Sequence, residues 1–374
     1  MRPMSTLDVD RAQVMAYRIA ATGLHRDQGK AADLAVLDIG VQQTVPGSVA
    51  TSLAARLPAA TDAVAANDDP DFTVAWTYRG AAHLMRTADL PALARDLWPV
   101  SEDDAIARLA GAGIMFRKTG IAGLDAWRTA ATAMRKIVKN EMVKGDVSTA
   151  ITKALPDGYG YACRSCKATH IYGSLFQAVA LGAGVQVRSG SPTTLAPVPK
   201  RWAVPKGPDR PDRAVRPYLH VLGPATMNEI AAFLGTTQKL ARTMLPDDAV
   251  EVRADGRKAY VLESDVDAVR KPPEPDLVRL LPPFDPLLQP RERELIVPDE
   301  AQRKNLWRMI GNPGAIVVDG DVLGAWKAKL ARKRLAVTVE EFVPLPRTVK
   351  KKIEQEADRV AVARGIEGAD VSYG

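Results

Sequence analysis

Between residues 225 and 262 the spacing of apolar positions changes period twice. Thr226, followed three residues later by Glu229, makes a capping box, and Ile230, Ala231 and Leu234 give one apolar face that Gly235 closes. A second helix follows over 236–245, with Leu240, Met244 and Leu245 inward. From Val250 to Leu262 the period falls to two around Asp255-Gly256, the pairing that favours a tight hairpin turn. Two short helices joined at a glycine and followed by a hairpin predict a winged helix. A helical pair beside an unrelated hairpin is the plainer alternative.

The same plan is echoed less cleanly upstream. Residues 8–21, 31–37 and 48–56 read as helical, and 72–85 carries short β-rich runs. Residues 124–140 form a helix with Arg128, Arg135, Lys136 and Lys139 expected on its exposed side; a short helix (147–155), a strand (159–163) and an apolar helix (171–181) follow. Downstream, Ala315 to Trp326 reads as a hairpin around Asp319-Gly320, with a strand over 335–342 and a helix over 348–364. Pro192, Pro197, Pro199, Pro205, Pro208 and Pro211 deny donors and helical dihedrals across 189–213, which marks a linker, and KPPEP from Lys271 to Pro275 marks a second break. The expected class is α+β: tandem winged-helix modules followed by a small β-barrel-like C-terminal domain. The modules are placed at 1–120, 121–190 and 214–270, with the linker at 191–213 and the β-rich domain with its terminal helix at 277–374.

The 374 residues exceed one ordinary core. A hydrophobic fraction of 46% with 25% charged residues is that of a globular protein, and no apolar run approaches the ~20 residues that span a bilayer. The first ten residues contain acids and no apolar signal-peptide core, so a cytoplasmic, nucleoid-associated protein is expected, and without heptads a monomer. The net charge of +7 permits a nucleic-acid partner. From Lys327 to Lys352 there are nine basic residues against Glu340 and Glu341, the densest positive run in the chain, which is either a nucleic-acid footprint or a solvated face. Aromatic residues at 5% argue against single-strand binders that stack bases on aromatic platforms.

No P-loop, dinucleotide-binding fingerprint, G-x-S-x-G elbow or H-E-x-x-H motif is present, and the four histidines are scattered. Cys163 and Cys166 are the only cysteines. A structural zinc takes about four ligands; His170 offers a third, Asp157 is poorly placed, and there is no second C-x-x-C. The pair is therefore read as two reduced structural thiols, with no metal and no cofactor.

Four strings resemble a known family. These are LDIGVQQTVPGS (Leu37 to Ser48), TYRGAAH (Thr77 to His83), YACRSCKATH (Tyr161 to His170), and LLPPFDP (Leu280 to Pro286) with REREL (Arg291 to Leu295). In that order they are similar to the winged-helix DNA glycosylases of the AlkZ/YcaQ type. The resemblance implies an array of winged helices with a β-barrel, damaged double-stranded DNA as partner, and excision of alkylated purines, including the unhooking of interstrand crosslinks. The family signature is Gln-Φ-Gln or Gln-Φ-Asp; the corresponding stretch is Gly40-Val41-Gln42, which keeps the second position and has glycine at the first.

A cationic N7-alkylated purine leaves as a neutral base, so no strong acid is needed. An amide carbonyl suffices to hold the attacking water. Gln42 fits that role; Gln43 follows immediately but points to a different side of the element that holds Gln42. Asp38, one turn earlier if the segment is helical, would stabilise the developing oxocarbenium charge. Gln42 as a plain polar residue at a helix–loop junction is the alternative. Arg79 and His83 could take a phosphate and the deoxyribose, or lie on an ordinary surface wing. Lys239 and Arg242 on the second helix of the clear module, with Arg253, Arg257 and Lys258 on its wing, are the remaining candidate DNA contacts. A non-catalytic winged-helix DNA-binding protein, either lesion sensor or regulator, is the competing function.

Overall fold

The computed structural model describes residues 7–188 and 190–374. The chain divides into two compact units that are not consecutive in sequence: Met1–Phe72, Pro217–Glu229 and Asp247–Gly374 form one, and Thr73–Arg216 with Ile230–Pro246 the other.

In the first unit a five-stranded sheet runs Val278–Leu281, Gly314–Val318, Asp321–Ala331, Arg334–Glu341, Ala369–Tyr373. The first three pairings are antiparallel; the last is parallel and is reached through helix Arg347–Ala363. Val278, Leu280, Ile316 and Val318 pack with Ile353, Ala357 and Val360 of that helix. Leu281, Ala315 and Val317, pointing the other way, pack with Val14 and Met15 of helix Arg11–Ala21. Strands buried on both faces read as continuous apolar runs, which is why these segments do not alternate. The C-terminal region is thus an open sheet, covered on both faces at its Val278–Leu281 and Gly314–Val318 end and on one face beyond, and the expected barrel does not close. Its closing pair would have joined Val278–Leu281 to the last strand, but the helical crossover leaves both as edges.

Helix Arg11–Ala21 begins at Asp10, whose carboxylate and Gln13 form a reciprocal capping box. Ahead of it, Asp8–Val9 adds a parallel strand to the Ala249–Ala254/Arg257–Leu262 hairpin. That hairpin turns at Asp255 and Gly256, both with positive φ (48° and 73°), as the sequence requires. The expected box at Thr226 and Glu229 also forms.

In the second unit, helix Gly123–Ile137 is followed by strand Met142–Val143, helix Lys144–Ala154, a hairpin of Gly160–Cys163 with Ala168–Ile171, and helix Gly173–Ala178. Strands Val185–Arg188 and Thr194–Pro197 then complete a sheet in which Thr194–Pro197 lies between Val185–Arg188 and Met142–Val143. The proline-rich stretch expected to be a free linker therefore supplies a central strand, with Pro197 at its end. Arg201, further along it, donates to the carbonyls of Val138 and Ala183. Arg135 is half-buried rather than exposed and donates to the Trp202 carbonyl.

Candidate active site

The helix around Asp38 is only Val36–Ile39. Gly40 ends it with φ 81° and ψ 145°, a region that essentially only glycine occupies. Val41–Gln42 is then extended, so the helical-turn relation between Asp38 and Gln42 does not hold. The glycine also explains why the first signature position lacks a side chain: any other residue there would strain the backbone. After a short loop, Gly47 at φ 78° caps helix Ser48–Ala54, all seven residues of which are buried.

Gln42 Oε1, Gln43 Oε1 and Thr44 Oγ1 are all shielded from solvent without a hydrogen-bond partner. Each such atom costs roughly 1–3 kcal/mol if left so. Each of these atoms is open to a donor, a water or a ligand hydroxyl; Gln42 is extended, so neighbouring side chains point to opposite sides. Asp38 is half-buried, and its charge is felt at His220. His220 sits above the ordinary imidazole range, chiefly because Asp265 accepts from its Nδ1 at 3.0 Å, with Asp38 adding to the effect.

The helix after the glutamines is locked by a buried ion pair. Arg56 donates through Nη1 and Nη2 to Asp285, both at 2.8 Å, and through Nε to the Thr22 carbonyl at 2.7 Å. Ser52 Oγ donates to Asp285 at 2.6 Å. Arg56 is 0% and Asp285 1% exposed. Asp285 belongs to the LLPPFDP string, and its carboxylate also accepts from Leu287 N–H. With both oxygens so engaged it is an anchor, not a catalyst.

The loop beyond Thr44 forms one wall of an 830 Å³ groove, opposite Trp326, Lys327 and Lys329 of strand Asp321–Ala331 and Arg364 after the C-terminal helix. Among the described residues no Asp or Glu lines it. Arg364 stacks over Trp326 at 5.8 Å and donates to Thr51 Oγ1 at 3.0 Å. Asn312, also on the wall, has a buried Oδ1 without a partner. Of these residues only the two lysines stood out in the sequence; Trp326, Arg364 and Asn312 are brought together by the sheet and helix, and no local pattern marks them.

His83 cannot meet a phosphate. It is fully buried, its Nδ1 is 2.8 Å from Thr77 Oγ1, and burial, aided by the Arg79 charge, lowers it to about 3, so it is neutral. Arg79, exposed and at φ 56°, lines instead a 310 Å³ cavity with Trp76, Trp98, Trp127 and Arg108. The TYRGAAH string thus sends one of its two candidates to the core. Lys239 and Arg242 are exposed on helix Gln238–Arg242. On the Ala249–Leu262 hairpin, Arg253 and Lys258 sit directly opposite each other and are exposed. Lys258 pairs with Glu251 at 2.5 Å, and Arg257 is held by Glu292 and Glu294, so both charges are already balanced on the protein's own surface.

A family model described as DNA glycosylase AlkZ-like matches residues 36–362. The chain belongs to that family. It is 29% identical over 215 residues to an interstrand DNA cross-link repair glycosylase of Streptomyces sahachiroi, an alignment that covers 48% of this chain and 57% of that protein's length. The solved structure of Streptomyces sahachiroi DNA glycosylase AlkZ superposes with a TM-score of 0.73 at 22% identity, covering 98% of this chain and 100% of that one. The two share a fold. In this family member the glutamine segment, the buried anchor that follows it and the acid-free groove all belong to one compact unit.

Proposed function

We propose that the chain is a monofunctional glycosylase that hydrolyses the N-glycosidic bond of N7-alkylated purines in double-stranded DNA. The observation that carries this reading is the run of buried, unpartnered acceptors at Gln42, Gln43 and Thr44, next in sequence to the wall of a groove that bears Lys327, Lys329 and Arg364 and, among the described residues, no acid. A neutral acceptor set orients a water without demanding that a proton be supplied, which suits a leaving group that is already cationic. Acid-free walls bearing Lys327, Lys329 and Arg364 suit the phosphates flanking a lesion. Unhooking of crosslinks, named for the Streptomyces sahachiroi relative, extends the same chemistry to a purine tethered to the opposite strand. The strand and helix order from Gly123 to Pro197, with its three-stranded sheet, supports reading that stretch as one winged helix of a tandem array.

The test is a duplex with a single N7-methylguanine. Enzyme-dependent abasic sites are the expected result. A protein that binds the duplex without releasing base is instead a lesion sensor, the reading that glycine at position 40 favours.

DNA affinity is expected to reside in the Asp321–Ala331/Arg334–Glu341 hairpin more than in the tail. Residues 329–334 are exposed at its tip, with Lys329, Arg332 and Lys333 beside a 65% exposed Leu330. Lys350 and Lys352, by contrast, are paired with Glu341 and Asp276. Changing Lys329, Arg332 and Lys333 to glutamine should flatten the log–log salt slope of duplex binding by about 2–3. The same change at Lys350, Lys351 and Lys352 should move it by about 1 or less. Fluorescence anisotropy across a salt series measures both, and the opposite ranking would place the footprint on the tail.

A further inference from the structure

We propose that Cys163, Cys166 and His170 form a zinc site at the tip of the hairpin that joins helices Lys144–Ala154 and Gly173–Ala178. The sulfurs and an imidazole nitrogen all lie within 4.8 Å of one another. The strand register produces this. Cys163 pairs with Ala168 and Tyr161 with His170, so Cys163 and His170 project from one face as diagonal neighbours. The reversal between the strands, with Lys167 at φ 51°, swings Cys166 back toward them. Tetrahedral zinc, with Zn–S about 2.3 Å and Zn–N about 2.0 Å, sets its donors about 3.5–3.8 Å apart, so the cluster needs to close by about 1 Å at most.

Two features besides the register point to a ligand. The His170 Nε2 is shielded from solvent and has no hydrogen-bond partner. Ser165 Oγ, in the loop between the cysteines, stands 3.1 Å from the Cys163 sulfur and 3.8 Å from that of Cys166. Both cysteines are free, and Cys166 is exposed, whereas a merely structural thiol is usually buried. The hairpin itself has little core: of its eight strand residues only Ile171 is buried. An isolated two-stranded hairpin is marginal in water, and a metal supplies the missing stabilisation. Two soft sulfurs and one imidazole select zinc over the harder divalent ions. Binding releases the two thiol protons to solvent. With no further carboxylate, thiol or imidazole in the cluster among the described residues, water takes the fourth position. The sequence already offers His170 as the third ligand; the expectation of no metal rested on the want of a fourth, a position that water fills in this proposal.

The test uses the full chain, purified without chelator from zinc-supplemented medium, with metal measured by elemental analysis. About one zinc per chain is expected. Cys163→Ser, Cys166→Ser and His170→Asn should each lower that content at least about tenfold while a thermal melt still reports a folded protein. Cobalt(II) added to zinc-depleted wild type should give thiolate-to-metal charge-transfer and tetrahedral d–d bands, a readout that needs no variant. Three results overturn the proposal: wild type that stays metal-free after reconstitution with both thiols titrating freely, a Cys163–Cys166 disulfide in the protein as isolated, or zinc content indifferent to all three substitutions.

Discussion

Asp285→Ala is expected to cost about 3–5 kcal/mol of folding stability, because it leaves a charged guanidinium buried without its partner. Arg56 is fully enclosed, and only the Thr22 and Ser52 carbonyls and the Ser52 hydroxyl would remain to satisfy it. Chemical denaturation at constant temperature measures the loss. Removing both charges with volume-matched apolar residues, Arg56→Met with Asp285→Leu, should recover much of it, since desolvating the pair offsets most of its Coulombic gain. A loss below about 1 kcal/mol for the single variant would mean that water reaches the pair and that the anchor is weak. The most specific string in the sequence, LLPPFDP, thus carries weight for fold more than for chemistry. Its aspartate fixes helix Ser48–Ala54, and through it the loop that bears the glutamines.

What could be read from the sequence was what short-range chemistry decides. The Asp255-Gly256 and Asp319-Gly320 turns form where expected, with positive φ at all four residues, because a two-residue hairpin leaves few other choices. The Thr226–Glu229 box forms for the same reason. Long-range partners were out of reach. The sequence suggests a barrel where an open sheet forms, because the parallel pairing of Ala369–Tyr373 with Arg334–Glu341 depends on a helix that returns from the far side. Prolines at 192–211 spoke for a linker, yet the middle of a sheet needs only the four residues Thr194–Pro197. In the site itself the glutamines were legible, but their geometry was not: Gly40 breaks the helix that would have set Asp38 and Gln42 a turn apart. His83 shows the same limit, since nothing in TYRGAAH reveals that its histidine is enclosed.

Gln42→Ala is expected to lower excision of N7-methylguanine by a factor on the order of 10² or more, the usual penalty for losing the group that places an attacking water. Duplex affinity should hardly move, because one neutral amide adds little beside the phosphate contacts. Single-turnover kinetics separate the two effects, and a thermal melt guards against a folding defect, which is not expected: the Gln42 Oε1 has no protein partner to lose. Gln43→Ala and Asp38→Asn complete the experiment. Gln43 Oε1 is buried and unpartnered like that of Gln42, so if it shares the water its loss should cost a comparable factor. Asp38 lies at the end of a separate short helix and acts on His220, so its amide should retain more activity than Gln42→Ala unless the carboxylate itself faces the sugar. Full activity in Gln42→Ala with loss in Asp38→Asn would transfer the water to the carboxylate and refute the amide mechanism. Loss in both glutamine variants with Asp38→Asn nearly intact is the pattern that an acid-free site for a cationic leaving group requires.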